Sequence, residues 1–402
     1  MTSSNSYVKI LKLNRNKWVK NKYISYATVC LCGTVKSLVS VIGAGTAGLI
    51  AARELSMRGI ETSVHDQKRI PGSPASASGI FSIGGINSLN INYGKSLTNT
   101  LYGARFHAGK EMMEVRSKEP QAYVLDREEL NSICIDEAEA AGATIRLGRR
   151  VAGNELAKMS EESVVIGADG AASAVASHFK MGSIDEFILT YKAEYRTRIE
   201  DHEVVDLFFG GKHAPGFFGW LCPNSDSVME VGIGVRMRDG NAKAYFERFA
   251  GSEEIRRVLR GAEFLRGGAS MIPIRLRKKI VDDGKNVVLV GDAAGQVKPS
   301  TGGGIVFGGN AAKMAAAAVA NKILRGGSLE VYAKEYKKKY MVDTRLHGLA
   351  RSIYTQDGIV GMEGMLKAMK ALRMEKFLAK YGDMDMPSVV PKRFLLSVFG
   401  KA

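Results

Sequence analysis

An α/β architecture is predicted by the sequence: a parallel sheet flanked by helices, interrupted by an inserted antiparallel sheet and followed by a helical C-terminal region. Three observations carry that expectation. The apolar run LVSVI leads into GAGTAG and an Ala-rich amphipathic stretch, the pattern of a strand, a tight turn and a helix. From about 181 to 275 the pattern changes to alternating segments such as LTYKAEYRTRI, VVDLFFG and VMEVGIGVRM, which read as antiparallel strands. NVVLVGDAAGQ, at 286–296, then returns to a continuous apolar run of the kind that a parallel strand buried on both faces requires.

Taken in order, residues 1–36 carry seven Lys or Arg and no acid, so they are expected to form a basic, disordered extension outside the fold, with a targeting segment or basic anchor as alternatives. The first strand–turn–helix unit holds Gly43, Gly45 and Gly48. The first two glycines let the backbone turn sharply and approach a pyrophosphate, and the third lets the helix pack close to the strand. Asp66 ends the next strand, TSVHD, where a carboxylate accepts hydrogen bonds from a ribose 2′-hydroxyl. At this point NAD and FAD are equally compatible. KRIPGSPASASGIFSIGGIN, at 68–87, reads as a ligand-wrapping loop without a regular element. YVLDREELNSICIDEAEAAGATIRL reads as a strand end, a helix with Leu130, Ile133 and Cys134 on its apolar side, and a returning strand. SVVIGADGAASAV is a strand feeding a helix through a turn at Asp169 and Gly170. The expected domains are 37–180 with 276–330 for nucleotide binding, 181–275 for the substrate, and 331–402 as the helical region.

Composition narrows the class. With 402 residues, 45% of them hydrophobic, the chain is long enough for two or three domains with a packed core. Cys30, Cys32, Cys134 and Cys222 lack C-x-x-C spacing and the six histidines are scattered, so no metal site or disulfide framework is expected, and a reducing, cytoplasmic setting fits. The net charge of +16 comes without a nucleic-acid-binding motif, which favours an anionic membrane surface as partner, with simple solubility as the alternative. No run approaches the roughly 18 apolar residues of a spanning helix; ISYATVCLCGTV, at 24–35, is too short. A peripheral position on the inner face of the membrane is therefore expected. In MLKAMKALRMEKFLAKYG, at 365–382, Leu366, Met369, Leu372 and Phe377 fall near one helical face, with Lys367, Lys370, Lys376 and Lys380 among the other positions. That face is expected either to dock on anionic lipid or to pack on the core.

The stretch NVVLVGDAAGQVKPSTGGGI decides between the nucleotides. A strand delivers Asp292 to its C-terminal edge, where a carboxylate holds the sugar-alcohol chain of a flavin. Pro299, Gly302, Gly303 and Gly304 turn the backbone so that the next helix starts against the ring system. The N-terminal dipole of that helix stabilises negative charge on the pyrimidine side of a reduced flavin. NAD has neither feature, so FAD is the expected cofactor and the first domain is a Rossmann-like FAD-binding domain.

With these residues in place, the chain resembles the geranylgeranyl reductase family, the branch of FAD-dependent hydroxylase-like flavoproteins that includes the archaeal digeranylgeranylglycerophospholipid reductases. The resemblance runs over Gly43, Gly45, Gly48, Asp66, YVLDR, Asp169, Gly170 and GDAAGQVKPSTGGG, within residues 37–340. It implies that Arg127 contacts FAD. PGFFGWLCP, at 215–223, is similar to the P-x-x-Y-x-W-x-F-P stretch that lines the lipid cavity in that family, with Phe218 in place of Tyr and Cys222 in place of Phe. It implies that Phe218, Trp220 and Cys222 bind substrate, with Phe208, Phe209 and Phe217 as further candidates for an apolar tunnel. The family's cysteine in the loop after the second strand has no counterpart among Ala75, Ser76, Ala77 and Ser78.

The implied activity is saturation of isoprenoid double bonds in a prenyl lipid, such as the geranylgeranyl chains of archaeal-type membrane lipid precursors, by hydride transfer from reduced flavin. His107, Tyr102 and Cys222 are proton-donor candidates by residue type alone. No second G-x-G-x-x-G unit accompanies the first, which leaves NADPH, NADH or reduced ferredoxin as electron donor. Two alternatives share the flavin motifs: a flavin monooxygenase or halogenase-like enzyme on an aromatic substrate, whose W-x-W-x-I-P stretch FGWLCP also resembles, and a membrane-peripheral flavoprotein without turnover.

Overall fold

The computed structural model describes residues 38–72, 77–355 and 361–393; the basic leader with its 24–35 stretch, Ala75 and Ser76 lie outside the described residues. The chain begins with β1 (Val39–Ile42), α1 (Thr46–Ser56), β2 (Thr62–Asp66), β3 (Ile80–Ser82), α2 (Ile83–Asn87) and β4 (Leu97–Leu101). There follow β5 (Gly103–Ala108), β6 (Glu111–Arg116), β7 (Ala122–Leu125), α3 (Arg127–Ala140), β8 (Thr144–Leu147), α4 (Asn154–Glu162), β9 (Val165–Gly167) and α5 (Ala174–His178). The middle of the chain gives β10 (Phe187–Arg196), β11 (Val204–Phe209), β12 (Phe218–Pro223), β13 (Val228–Arg236), α6 (Ala242–Ala250), α7 (Glu253–Val258) and β14 (Glu263–Pro273). The last part holds β15 (Val281–Asp282), β16 (Val287–Leu289), α8 (Ile305–Arg325), α9 (Glu330–Tyr354), α10 (Met362–Ala371) and α11 (Met374–Tyr381).

The first sheet has the order β15-β16-β9-β1-β2-β8 and is parallel apart from its β15–β16 edge. Its central strands are buried along their whole length, which is why they read as unbroken apolar runs. Helix α8 lies against this sheet and α1 through small residues. A Cβ at Gly308 would come within 2.8 Å of the Gly291 Cα, and one at Gly309 within 2.8 Å of Leu89, so glycine lets the helix sit flush.

The second sheet has seven strands in the order β14-β10-β13-β12-β11-β5-β6. It is antiparallel except where β5 and β11 run parallel, with Val204 opposite Gly103. The alternating pattern predicts this sheet within 181–275. The structure adds residues 103–116, because period-two alternation says which face a residue takes but not which distant strand it pairs with. One face rests on α6, with Leu221, Val231 and Ile233 packed among Phe246 and Phe249. The other carries Phe218, Trp220, Cys222 and Ile188 toward the first sheet's domain.

Residues 80–87 also differ from the loop expected of them. Ile80–Ser82 pairs with β7, and Ser82 caps α2 by accepting the Gly85 N–H at 2.9 Å. The C-terminal region is helical as expected, but 365–382 is not one helix: α10 and α11 break at Arg373, which takes a left-handed φ of 53°. Leu366 is fully buried and Met369 packs with it against β6, whereas Leu372 of the same predicted face is 73% exposed. Among the described residues, no helix is long and apolar enough to cross a membrane.

Candidate functional site

The three glycines after β1 do three different things. Gly43 sits at φ +110°, and a Cβ there would stand 2.2 Å from the Ala168 carbonyl oxygen, so the turn is closed against the end of β9. A Cβ at Gly48 would be 2.0 Å from the Gly43 oxygen, which fixes how near α1 approaches the strand. Gly45 faces open space, with nothing within 4 Å of its would-be Cβ, and no side chain caps the start of α1. An anion can therefore reach the helix N-terminus there. Asp66 is fixed beside this turn, its Oδ2 accepting the Ala44 N–H at 2.7 Å and its Oδ1 the Lys68 N–H at 2.8 Å. Asn131 of α3 ties the same turn down by donating to the Ala44 carbonyl at 3.1 Å.

Asp169 and Gly170 meet the turn from the other side, the Asp169 N lying 2.9 Å from where a Gly43 Cβ would stand. The Asp169 carboxylate is engaged by its own chain, accepting from the Ser173 hydroxyl at 2.6 Å and the Val175 N–H at 3.1 Å.

Asp292 follows β16 and faces Arg127 at the start of α3. Burial pushes the Asp292 carboxyl up to about 6, although the Arg127 charge opposes the rise. Burial also depresses the Arg127 guanidinium to about 10, which leaves it protonated at neutral pH. Arg127 lies over the Phe81 ring at 5.6 Å, and its Nε is buried without a hydrogen-bond partner. An unmet buried donor beside an acid of raised pKa is what a ligand carrying both acceptor oxygens and hydroxyl donors would satisfy.

Gly302, Gly303 and Gly304 precede α8, whose first turn has no side-chain cap. A Cβ at Gly304 would stand 2.8 Å from Asp292 Oδ1; one at Gly302, where φ is +71°, would stand 2.8 Å from Ile272 and 3.4 Å from Phe217. The glycine loop therefore joins the carboxylate to the apolar end of the seven-stranded sheet. That end is built from Phe217, stacked on Phe218 at 4.3 Å, with Trp220 6.1 Å from Phe218, and from Ile272, Ile274 and Tyr354. Cys222 belongs to the same cluster, fully buried, and burial pushes its thiol well above the ordinary range.

Next to this apolar cluster, sharing Trp220 with it, lies a buried charged cluster that sequence reasoning missed. Lys192 Nζ contacts Glu230 at 2.7 Å and Glu194 at 3.1 Å, Trp220 Nε1 donates to Glu230 at 2.7 Å, and Arg266 pairs with Glu194 at 2.7 Å. A cavity of about 140 Å³ opens between these groups and Arg127, Asp126 and Gly79. The signal was present in the alternation: Lys192, Glu194 and Glu230 each occupy an inward register on a strand whose neighbours are apolar. A second missed group ties the flavin-type loop to the C-terminus. Lys298 pairs with Asp385 at 2.6 Å, Asp385 also accepts from Ser82, and His347 bridges Ser300 at 2.7 Å to the Asp385 carbonyl at 3.0 Å.

Not every candidate comes to this place. His107 pairs with Asp206 at 2.7 Å and stacks on Phe208 at 4.5 Å, on the face of the sheet that α6 covers. Tyr102 lies at the junction of β4 and β5, its backbone bonded to Glu203 and Ser117.

A family model described as "FAD binding domain" matches residues 36–328. The chain belongs to that family. It is 29% identical over 327 residues to digeranylgeranylglycerophospholipid reductase 1 of Methanothermobacter thermautotrophicus, covering 75% of this chain and 81% of the relative. It is 26% identical over 355 residues to the chloroplastic geranylgeranyl diphosphate reductase of Arabidopsis thaliana, covering 79% and 74%. The fold is shared with a geranylgeranyl bacteriochlorophyll reductase-like protein of Thermoplasma acidophilum, at a TM-score of 0.74 and 20% identity over 91% of this chain and 97% of that one. The protein is thus an FAD-dependent oxidoreductase similar to the geranylgeranyl reductases.

The residues fit FAD: an open glycine turn at an uncapped helix start, a carboxylate at the end of β2, an unmet arginine donor, and Asp292 under the second glycine loop. One consequence is a pH dependence. A ribityl hydroxyl donating to Asp292 favours the ionised carboxylate, whereas the free protein holds it with a pKa of about 6. Below that pH binding must expel a proton, so FAD affinity is expected to rise roughly tenfold per unit up to pH 6 and then level off. Flavin titrations from pH 4.5 to 8 check this, and Asp292→Asn should flatten the profile; an identical slope in that variant would separate Asp292 from the flavin.

Proposed function

We propose that this protein is an FAD-dependent reductase that saturates isoprenoid double bonds of a prenyl lipid, with NADPH, NADH or reduced ferredoxin as the source of electrons. The observation that carries the reading is the contact between the Gly302–Gly304 loop and the wall formed by Phe217, Phe218, Trp220 and Ile272. What would lie against the ring system there is apolar. The relatives whose names place them on geranylgeranyl and digeranylgeranyl substrates agree with it.

Bound FAD, once reduced, supplies hydride at its N5. A proton delivered to the other alkene carbon completes the reduction, and the chain's own residues bind and orient the reactants. The turn at Gly43–Gly48 and Asp66 would hold the adenine nucleotide half and Asp292 and Arg127 the middle, and the uncapped start of α8 would supply a dipole that favours negative charge on the reduced ring system. The aromatic wall orients the alkene and excludes water, which matters because an isolated double bond is a poor electrophile and positioning must lower much of the barrier. Phe218 and Trp220 are the residues proposed to meet the chain.

Lipids recovered after co-expression with an unsaturated archaeal-type lipid pathway test the assignment by mass spectrometry. Gain of one pair of hydrogens per double bond under anaerobic conditions is expected. Oxygen incorporation into an aromatic compound, with prenyl lipids unchanged, would replace the reading with that of a monooxygenase.

A further inference from the structure

Helix α9 is apolar on two opposite sides. Its inner side buries Tyr332, Tyr336, Tyr340, His347 and Arg351 against the rest of the protein. On its outer side Val342, Leu346 and Leu349 are 57%, 37% and 62% exposed, and Ile353 continues the line half-buried. These positions are spaced i, i+4, i+7 and i+11, so they form one stripe along the helix. A surface helix ordinarily places polar residues there, and a contiguous exposed apolar stripe marks a contact surface.

What it contacts is indicated by charge. The exposed bases on α9 are Lys334, Lys337, Lys338, Lys339 and Arg345, against two exposed acids, Glu330 and Glu335. Lys338 and Arg345 border the stripe on one side and Lys339 on the other, a half-turn or less from it, while Glu335 lies in line with the stripe but beyond its apolar half. Apolar residues flanked by long basic side chains, which can bury their stems and keep their ammonium groups at the headgroups, match an anionic bilayer surface.

The stripe also leads somewhere. Its last turn delivers Tyr354, whose ring lies 5.2 Å from Phe209 and 6.1 Å from Phe218 and whose hydroxyl donates to the Ser300 carbonyl. The helix that carries the stripe therefore ends in the aromatic wall of the site. We propose that the outer face of α9 docks the protein on an anionic lipid bilayer, which brings the wall at Phe209, Phe218 and Tyr354 close to the layer holding the substrate. The orientation of the site toward the bilayer rests on the prenyl-lipid reading; the docking itself is measured without substrate.

The test uses the full chain with FAD and sedimentation with vesicles of phosphatidylcholine alone or with about one-third phosphatidylserine. Binding to the anionic vesicles is expected, weakened by salt because surface charge is screened. Leu346→Ser/Leu349→Ser and, separately, Lys338→Glu/Arg345→Glu should each weaken it at least tenfold, with flavin content and melting temperature unchanged. Undiminished binding by both variants would overturn the proposal and leave lipid attachment to another segment. So would a wild-type dimer that the serine pair turns into monomer while neither form binds vesicles, since the stripe would then face a second copy. Docking without any prenyl reduction would refute the proposed activity and leave this surface assigned.

Discussion

Gly45→Ala is expected to abolish tight FAD binding, by about 100-fold or more, while the free protein remains folded. Gly45 has an ordinary extended backbone, φ −76° and ψ 168°, and no protein atom within 4 Å of its would-be Cβ. Alanine there strains nothing; replacing glycine at a helix N-cap costs only about 1 kcal/mol. The space it fills is the space over an uncapped helix start, where a pyrophosphate would meet the backbone. Gly48→Ala should behave oppositely. Its Cβ would collide with the Gly43 carbonyl oxygen at 2.0 Å, a backbone atom that no rotamer change can move, so the strand–helix packing itself must shift at a cost of roughly 1–3 kcal/mol or more. Flavin titration beside thermal melts of both apo variants separates the two effects. Wild-type FAD affinity in Gly45→Ala would remove the pyrophosphate from this turn.

The two glycine loops, Asp66, Asp292 and the parallel sheet were legible because each is written locally: a strand, a turn and a helix start lie within about ten residues, and the ligand imposes the turn. The seven-stranded sheet was legible as strands but not as a sheet. Its β5–β11 pairing joins residues about a hundred apart, and nothing near Gly103 points to Val204. Residues 80–87 read as loop because they close a Gly/Ser/Pro-rich passage, yet Gly85 is needed for space: a Cβ there would stand 2.3 Å from an Asp385 oxygen. That contact spans three hundred residues, as does the Ser82–Asp385 link, and Lys298 reaches Asp385 across 87. His107 attracted notice as a residue type able to carry a proton, but strand parity places it with Phe208 and Asp206, away from the glycine loops. The same parity, applied to Lys192, Glu194 and Glu230, would have found the buried cluster.

That cluster also sets what Trp220 can test. Its indole lies over Gly232, where a Cβ would stand 2.1 Å from the ring, and its N–H is committed to Glu230. Truncating Trp220 therefore unsettles buried charges as well as any substrate contact, and the cleaner experiment acts on the charges first. Lys192→Met is expected to destabilise the protein by about 3–5 kcal/mol, because it strands the buried Glu230 carboxylate, whose ion-pair partner among the described residues is Lys192, while Glu194 keeps Arg266. Burial alone would raise the Glu230 carboxyl, yet Lys192, with a further hydrogen bond from Trp220, holds it below its ordinary 4.5. In the wild type that depressed value means stability present above pH 4.5 and lost as pH falls through the folded pKa. Without Lys192 the sign reverses: burial raises Glu230, the variant keeps its stability in acid and loses it as pH climbs above 4.5. The gap between variant and wild type in thermal melts should accordingly widen from pH 4.5 to 7.5, and Lys192→Met/Glu230→Gln should recover a substantial part of it by removing the stranded charge. With the cluster neutral but packed, Trp220→Phe in that background then reports on substrate alone. A gap that does not change with pH would mean that Glu230 finds another cation once Lys192 is gone, and would overturn the assignment of Lys192 as the group that keeps it ionised.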